Sequence, residues 1–255
     1  CNWTLFFLIQ HYSKHKPSSK LWLDRQARDP YVKKAREEDW RCRSAFKLIE
    51  IDDKHKLLTP GKVVIDCGCA PGSWIQVIIP RINAKGEDTN LPKGYVLGID
   101  IQHVMPIVGA DILFHCDITS KDTCTKVLEK LNRRKVDLAL SDMAPLRSSD
   151  QSLDHDKIID LCSSFVRFSI GVLKYEGTLL CKIWSGAKQT VLETVLNKLF
   201  TSVKIVKPNA SRSESAEVYL LAKGFKGLPD NKNYNRSSND RYKSKHWSFC
   251  PTDLP

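Results

Sequence analysis

From residue 62 onward the apolar residues of this chain fall into short runs divided by segments of helical period. KVVIDC (62–67), YVLGID (95–100), DILFHCD (111–117), VDLALSD (136–142), TLLCKIW (178–184) and SVKIVK (202–207) are near-continuous apolar runs, the pattern of strands buried on both faces. Between several of them, 120–133, 155–173 and 187–199 read as amphipathic helices. Strands that alternate with helices imply right-handed βαβ crossovers, and so a mostly parallel sheet covered on both faces. EVYLLAKG (217–224) follows SVKIVK after a polar loop too short for a crossover helix, so these last two strands are expected to be antiparallel neighbours. The expected fold is thus α/β, with seven strands, mostly parallel, and an antiparallel last strand.

Upstream of the sheet, RSAFKLIEIDDKH (43–55) reads as an amphipathic helix with Phe46 and Ile49 facing inward, preceded by a charge-rich, basic segment over 24–43. After residue 224 the chain turns polar and basic and poor in aliphatics. The expected organisation is a leader over 1–23, one catalytic domain over 24–224 and a tail over 225–255. The leader holds Lys14, Lys16 and Lys20 and no acid, like the end of an organellar transit peptide, although arginine is missing.

Composition narrows the class. With 42% hydrophobic and 27% charged residues, the 255-residue chain is globular rather than fibrous or disordered. A net charge of +11 points to a polyanionic partner, most simply nucleic acid. The apolar run near the start, WTLFFLI (3–9), is far too short to span a bilayer. Nine scattered cysteines, an odd count, do not form a disulfide framework and suit a reducing interior. No CxxC pair exists, and no histidine accompanies Cys67 and Cys69, so a zinc site is not expected.

In open parallel sheets ligands bind beyond the carboxyl ends of the strands. Four successive strands here end at Asp66, Asp100, Asp117 and Asp142. One such aspartate is an ordinary helix cap; four on one rim indicate a site. The turn Gly68-Cys69-Ala70-Pro71-Gly72 departs from the GxGxxG order that cradles a pyrophosphate, and Pro71 has no amide to offer. A cofactor with an adenosine and no phosphate fits better, with Asp100 accepting from ribose hydroxyls and Asp117 from the adenine amino group. S-adenosylmethionine is such a cofactor, and none of these residues needs a metal to serve an adenosine.

DCGCAPGSW (66–74) resembles the DxGxAPGxW loop of the FtsJ-like (RrmJ-like) ribose 2′-O-methyltransferases. The likeness continues in SAFKLIEI, LSDMAP, LLCKIWSG and KPNASRSESAEVY and covers roughly residues 40–224, with Cys69 where an alanine is usual. It implies a Rossmann-like methyltransferase fold and a Lys-Asp-Lys-Glu tetrad at Lys47, Asp142, Lys182 and Glu217. It also implies that S-adenosylmethionine is held by Asp66, Gly68, Pro71, Gly72, Ser73, Trp74, Asp100, Asp117, Ile118 and Asp142. RDPYVKKA, RCRSAFKL, VLGIDIQHVMPIVGA and SLDHDKIIDLC look especially like the mitochondrial members that modify a uridine of large-subunit ribosomal RNA. The implied partner is ribosomal RNA or a pre-ribosomal large subunit, met in the mitochondrial matrix by a monomeric enzyme. A transfer RNA or cap ribose methyltransferase, or a ribosome assembly factor with incidental catalysis, is the alternative.

The tetrad residues differ in what they say on their own. Lys182 interrupts an apolar strand, so it must project into a cleft or meet a paired acid, and Asp142 ends the strand expected beside it. Lys47, on a helix, reads by itself as a solvated lysine, and both it and Glu217 rest on the resemblance. Lys182 is either the base or a charged stabiliser of the developing alkoxide. Trp74 is expected near the methionine moiety or in the core, Cys116 as core filler, and Asp154 as a helix cap. Lys33, Lys34, Arg36, Arg212 and the basic tail are the expected grip on RNA phosphates.

Overall fold

The computed structural model of the chain describes residues 26–145, 151–186, 188–212 and 214–227; the expected leader and nearly all of the expected tail lie outside them. Two helices, α1 (Pro30–Glu37) and α2 (Ala45–His55), precede the sheet. The order then runs β1 (Val63–Cys67), α3 (Ser73–Arg81), β2 (Tyr95–Ile99), β3 (Asp111–Leu113), α4 (Lys121–Leu131), β4 (Val136–Ser141), α5 (Gln151–Val172), β5 (Leu173–Trp184), α6 (Gln189–Leu199), β6 (Phe200–Val206) and β7 (Glu217–Phe225).

These strands form one seven-stranded sheet in the spatial order β3-β2-β1-β4-β5-β7-β6. Neighbours from β3 to β5 are parallel, whereas β7 runs antiparallel to both β5 and β6. The short link between β6 and β7 has the predicted consequence, and β7 inserts between β5 and β6. The strand order reverses at β1 and β4, whose carboxyl ends carry the glycine turn and Asp142.

Each face of the sheet has its own core. One packs Ile65, Cys67, Leu97, Ala139, Leu179 and Cys181 against helices α4, α5 and α6. The other packs Val64, Val96, Leu138, Leu140, Leu180 and Tyr219 against α2 and α3. The alternation between the two sets follows the period-two geometry of a strand.

Two local readings change. The run DILFHCD pairs as a strand only over Asp111–Leu113, because β3 is the sheet edge and His115 adopts a left-handed backbone (φ 54°) that breaks the extended run. Asp117 therefore lies in a turn beyond the strand rather than at its end. On α2 the residues facing the sheet are Ala45, Leu48 and Ile51, while Phe46 packs with Ala35 and Ala210 on the opposite side and half-buried Ile49 bridges the two.

Asp52, buried near the end of α2, ties this helix to α3. Its Oδ1 accepts from the backbone N–H groups of Leu57 and Leu58, both at 2.7 Å, and its Oδ2 pairs with Arg81 at the end of α3. Asp52→Ala strands two buried amides and an arginine, so unfolding stability should fall by about 2–4 kcal/mol. The exposed neighbour Asp53, also on Arg81 at 2.9 Å, should cost less than ~1 kcal/mol when replaced by Ala. Denaturant midpoints of the two variants check this, and equal losses contradict the assignment.

Candidate functional site: a buried lysine–carboxylate tetrad beside a glycine turn

Side-chain alternation places the chemistry on one face. Leu138 and Leu140 face α2 and α3, and so does Asp142, two residues on; Leu180 is followed likewise by Lys182, and Tyr219 is preceded by Glu217. Pairing sets Lys182 opposite Tyr219 and Trp184 opposite Glu217. Val64 leads in the same way to Asp66, and Val96 through Gly98 to Asp100. α2 lies across this face and contributes Lys47 from its first turn.

The four residues form one hydrogen-bonded cluster. Lys182 Nζ lies 3.0 Å from Asp142 Oδ1 and 3.9 Å from Glu217 Oε2, and it also donates to the Asp142 backbone carbonyl. Lys47 Nζ contacts both Glu217 oxygens, at 2.7 Å and 2.8 Å, and stands 3.9 Å from Asp142 Oδ1. The side chains of Lys182 and Lys47 are only 8% and 12% exposed, so neither is the solvated lysine that its own neighbours in sequence suggest for Lys47. Two ammonium groups and two carboxylates balance in charge, which is the condition for burying them together.

Asp142 is the most constrained member. Ser44 Oγ donates to Oδ2 at 2.6 Å and the fully buried Tyr219 hydroxyl to Oδ1 at 2.7 Å. Burial alone pushes this carboxyl up, but Lys182 and Lys47, together with the Ser44 and Tyr219 hydroxyls, hold it well below the usual carboxylate range. The Tyr219 hydroxyl is pushed far up, first by burial and then by Asp142 and Glu217, so it remains a donor.

Beside the tetrad, the turn from Gly68 to Gly72 leads into α3. Gly68 has φ 78°, and a Cβ there would come 2.3 Å from Met143 Cγ, so glycine lets the turn pass against the loop after Asp142. Asp100 Oδ2 accepts from Ala70 N and Oδ1 from Gln102 N, both at 2.7 Å, so this carboxylate also shapes the rim it stands on. Asp117 is exposed, with one oxygen engaged by Thr119, while neighbouring Ile118 and Ser73 are buried. Asp66 is enclosed, and neither of its oxygens has a hydrogen-bond partner among the described residues. Burial first, then the charges of Asp142 and Asp100, raise its carboxyl well above the ordinary value.

Trp74 is a core residue, its ring tilted against that of Tyr219 with centroids 6.0 Å apart, and it donates through Nε1 to the Ser44 carbonyl at 2.9 Å. It thereby braces two of the groups that hold Asp142. Arg41, near the end of the basic segment, joins the glycine turn to the β2–β3 connection. Its guanidinium donates to the carbonyls of Pro71 (2.8 Å), Met105 (2.8 Å) and Pro106 (3.0 Å). Gly72 (φ 109°) makes room for it, since a Cβ there would lie 2.8 Å from Arg41 Nη1.

Other expectations change with geometry. Arg212 is not a free cation, because Asp29 pairs with it at 3.0 Å and with Arg43 as well. Asp154 lies inside the first turn of α5 rather than at its cap. His155 accepts from Lys188 N at 3.2 Å and Asp156 pairs with Lys188 Nζ at 2.7 Å. Among the described residues no group of three or more His, Cys, Asp or Glu is disposed to hold a metal, and no helix is long and apolar enough to cross a membrane. Cys116 is buried in the core as expected.

A mostly parallel sheet covered on both faces, with a glycine turn at its switch point and carboxylates along the rim, is the architecture of a doubly wound α/β enzyme, whose ligands bind beyond the carboxyl ends of the strands. The chain belongs to the FtsJ-like methyltransferase family, whose model matches residues 40–225. It is 43% identical over 227 residues to the mitochondrial rRNA methyltransferase 2 of Drosophila melanogaster, covering 86% of this chain and 91% of that protein. It is 46% identical over 212 residues to the ribosomal RNA large subunit methyltransferase E of Cereibacter sphaeroides, covering 83% of this chain and 86% of that one. Its fold matches a crystal structure of a ribosomal RNA methyltransferase from Plasmodium falciparum with a TM-score of 0.65 and 32% identity, over 74% of this chain and 100% of the other.

The depressed Asp142 carboxyl makes a signed prediction. Its stabilising contribution is complete above the unfolded-state value near ~3.9 and is lost as the pH falls toward and through the folded-state value. Asp142→Asn should be less stable than wild type at neutral pH, and its stability should fall less steeply below about pH 4. Unfolding free energies measured across that range decide it; parallel acid limbs for the two proteins contradict it.

Proposed function

We propose that this chain transfers the methyl group of S-adenosylmethionine to the ribose 2′-oxygen of a uridine in mitochondrial large-subunit ribosomal RNA, acting in the matrix. The observation that carries the reading is the tetrad: Lys47, Asp142, Lys182 and Glu217 meet in one charge-balanced cluster beside the glycine turn. The names of the relatives from Drosophila melanogaster and Cereibacter sphaeroides support the ribosomal substrate, and the former supports the mitochondrial setting.

The rim fits the cofactor. The unpartnered Asp66 carboxyl calls for a donor, Gly68 and Gly72 let the turn pack closely against Met143 and Arg41 beside it, and Asp100 and Asp117 are acceptors suited to ribose hydroxyls and an adenine amino group. Pro71, Ser73, Ile118 and Asp142 complete the set, with Trp74 acting from the core through Ser44 and Tyr219. When bound, S-adenosylmethionine supplies an electrophilic sulfonium methyl.

The protein aligns the 2′-hydroxyl and handles its proton. Alignment of the reacting atoms accounts for up to ~7–11 kcal/mol of barrier lowering. We assign the proton to Lys182, whose ammonium must first shed one of its own protons to solvent; Asp142 fixes Nζ in place through its carbonyl and carboxylate. Lys47 and Glu217 neutralise each other across the cluster and keep the second carboxylate within reach of Lys182. The exposed cations of α1 face solvent and suit RNA phosphates. Lys33 and Lys34 pair loosely with Glu37 and Glu38, at 3.9 Å and 3.7 Å, and exposed pairs of this kind hold their cations weakly.

Two experiments test this reading. Lys182→Ala should slow single-turnover methyl transfer by about 10²–10⁴-fold while cofactor affinity stays within about threefold. Lys182→Arg, charged but unable to accept the proton, should be as slow. Transfer by either variant near the wild-type rate refutes the base assignment. Replacing Lys33, Lys34 and Arg36 by Gln should weaken RNA binding and flatten its salt dependence by ~0.7–0.9 log units per lost phosphate contact, with cofactor binding untouched. An unchanged slope places the RNA elsewhere.

A further inference from the structure

Glu217 has a partner outside the tetrad. Ser211 is buried, and its Oγ donates to Glu217 Oε1 at 2.7 Å. The same Oε1 receives Lys47, and Oε2 faces both Lys47 (2.8 Å) and Lys182 (3.9 Å). The carboxylate must therefore hold one rotation about its last torsion for Oε2 to lie between the two lysines. That torsion, between sp³ and sp² carbons, has a broad and shallow preference of its own. Something outside the side chain has to set it, and Ser211 is placed to do so from the side away from Lys182.

The backbone around Ser211 is unusually well anchored, and the anchor is α2. Ala210 N–H donates to both carboxylate oxygens of Glu50, at 3.1 Å and 3.2 Å, and Arg43 donates to the Ala210 carbonyl. Ala210 is fully enclosed against Phe46 and Ala35, and Ser211 N–H donates to the Pro208 carbonyl at 3.0 Å. Glu50 lies three residues after Lys47 on the same helix. One rigid element thus places Lys47 directly and Ser211 through Glu50, and the two converge on the same carboxylate. Ser215 in the same loop behaves differently: its Oγ accepts from Glu217 N at 3.2 Å, the local backbone bond typical of loop serines.

We propose that Ser211 is a positioning residue for methyl transfer, holding the Glu217 carboxylate in the orientation that spans Lys47 and Lys182. The proposal rests on the ribose methyltransferase reading above. Ser211 itself touches neither substrate nor cofactor; it acts through Glu217, and so it should affect turnover rather than binding.

The test is steady-state methyl transfer to large-subunit ribosomal RNA with S-adenosylmethionine, together with cofactor affinity by calorimetry. Ser211→Ala should lower kcat by about tenfold to a hundredfold, the range for losing a hydrogen bond to a charged group. KM for RNA and cofactor affinity should stay within about twofold, since uniform binding is untouched. Ser211→Thr, which keeps the hydroxyl, should recover most of the rate. Ser211→Cys, close in size but a weak donor, should resemble Ala and serves if Ala fails to fold. In a Glu217→Ala background, Ser211→Ala should cost nothing further. Wild-type kcat in Ser211→Ala, or an equal further loss without Glu217, overturns the proposal. A wild-type protein that binds the cofactor and transfers no methyl to the RNA defeats the underlying reading instead.

Discussion

The carboxylate of Asp142 is the contact on which the arrangement turns. It stands just past β4 and receives Lys182 from β5, Tyr219 from β7 and Ser44 from the start of α2. Four parts of the chain, distant in sequence, meet on two oxygen atoms. Burying such a charge is costly unless it is matched, and here every partner is a donor or a cation. The lysines that neutralise Asp142 are the same ones that the proposed chemistry uses, so the stability of this region and its reactivity share one set of contacts.

The sheet makes this meeting possible. Because alternate residues of a strand share a face, Asp66, Asp100, Asp142, Lys182 and Glu217 all emerge on the side covered by α2 and α3. Gly68 and Gly98 permit close approach on that side: a Cβ at 98 would lie 2.9 Å from Cys69 Sγ, so the turn could not lie as it does over β2. Arg41 then fastens the turn to the β2–β3 connection through three carbonyls. The aspartate rim and the tetrad are neighbouring parts of one face, coupled through Asp142 and through the Trp74–Tyr219 contact.

Much of this is legible in the sequence because it follows from local pattern. The apolar runs mark six strands, the short β6–β7 link marks the antiparallel pair, and an isolated lysine in TLLCKIW announces a buried charge. What local pattern misses depends on distant partners. Lys47 looks solvated because Glu217, which holds it, is 170 residues away. Ser44 and Tyr219 look ordinary until Asp142 is placed between them. Arg212 looks like a free cation until Asp29, 183 residues off, takes it. β3 falls short because an edge strand is paired on one side alone and a left-handed His115 ends it early.

The accepting atom proposed for this protein is a ribose 2′-oxygen, and the fate of a labelled methyl group under alkali tests that assignment. Large-subunit ribosomal RNA that lacks the modification is incubated with the protein and methyl-labelled S-adenosylmethionine, then hydrolysed completely in base. Alkaline cleavage requires a free 2′-hydroxyl. A methyl group on that oxygen blocks it, so the label should appear in alkali-resistant dinucleotides. Label recovered in mononucleotides would place the methyl on a base and contradict the assignment of Lys182 and its partners to a ribose hydroxyl.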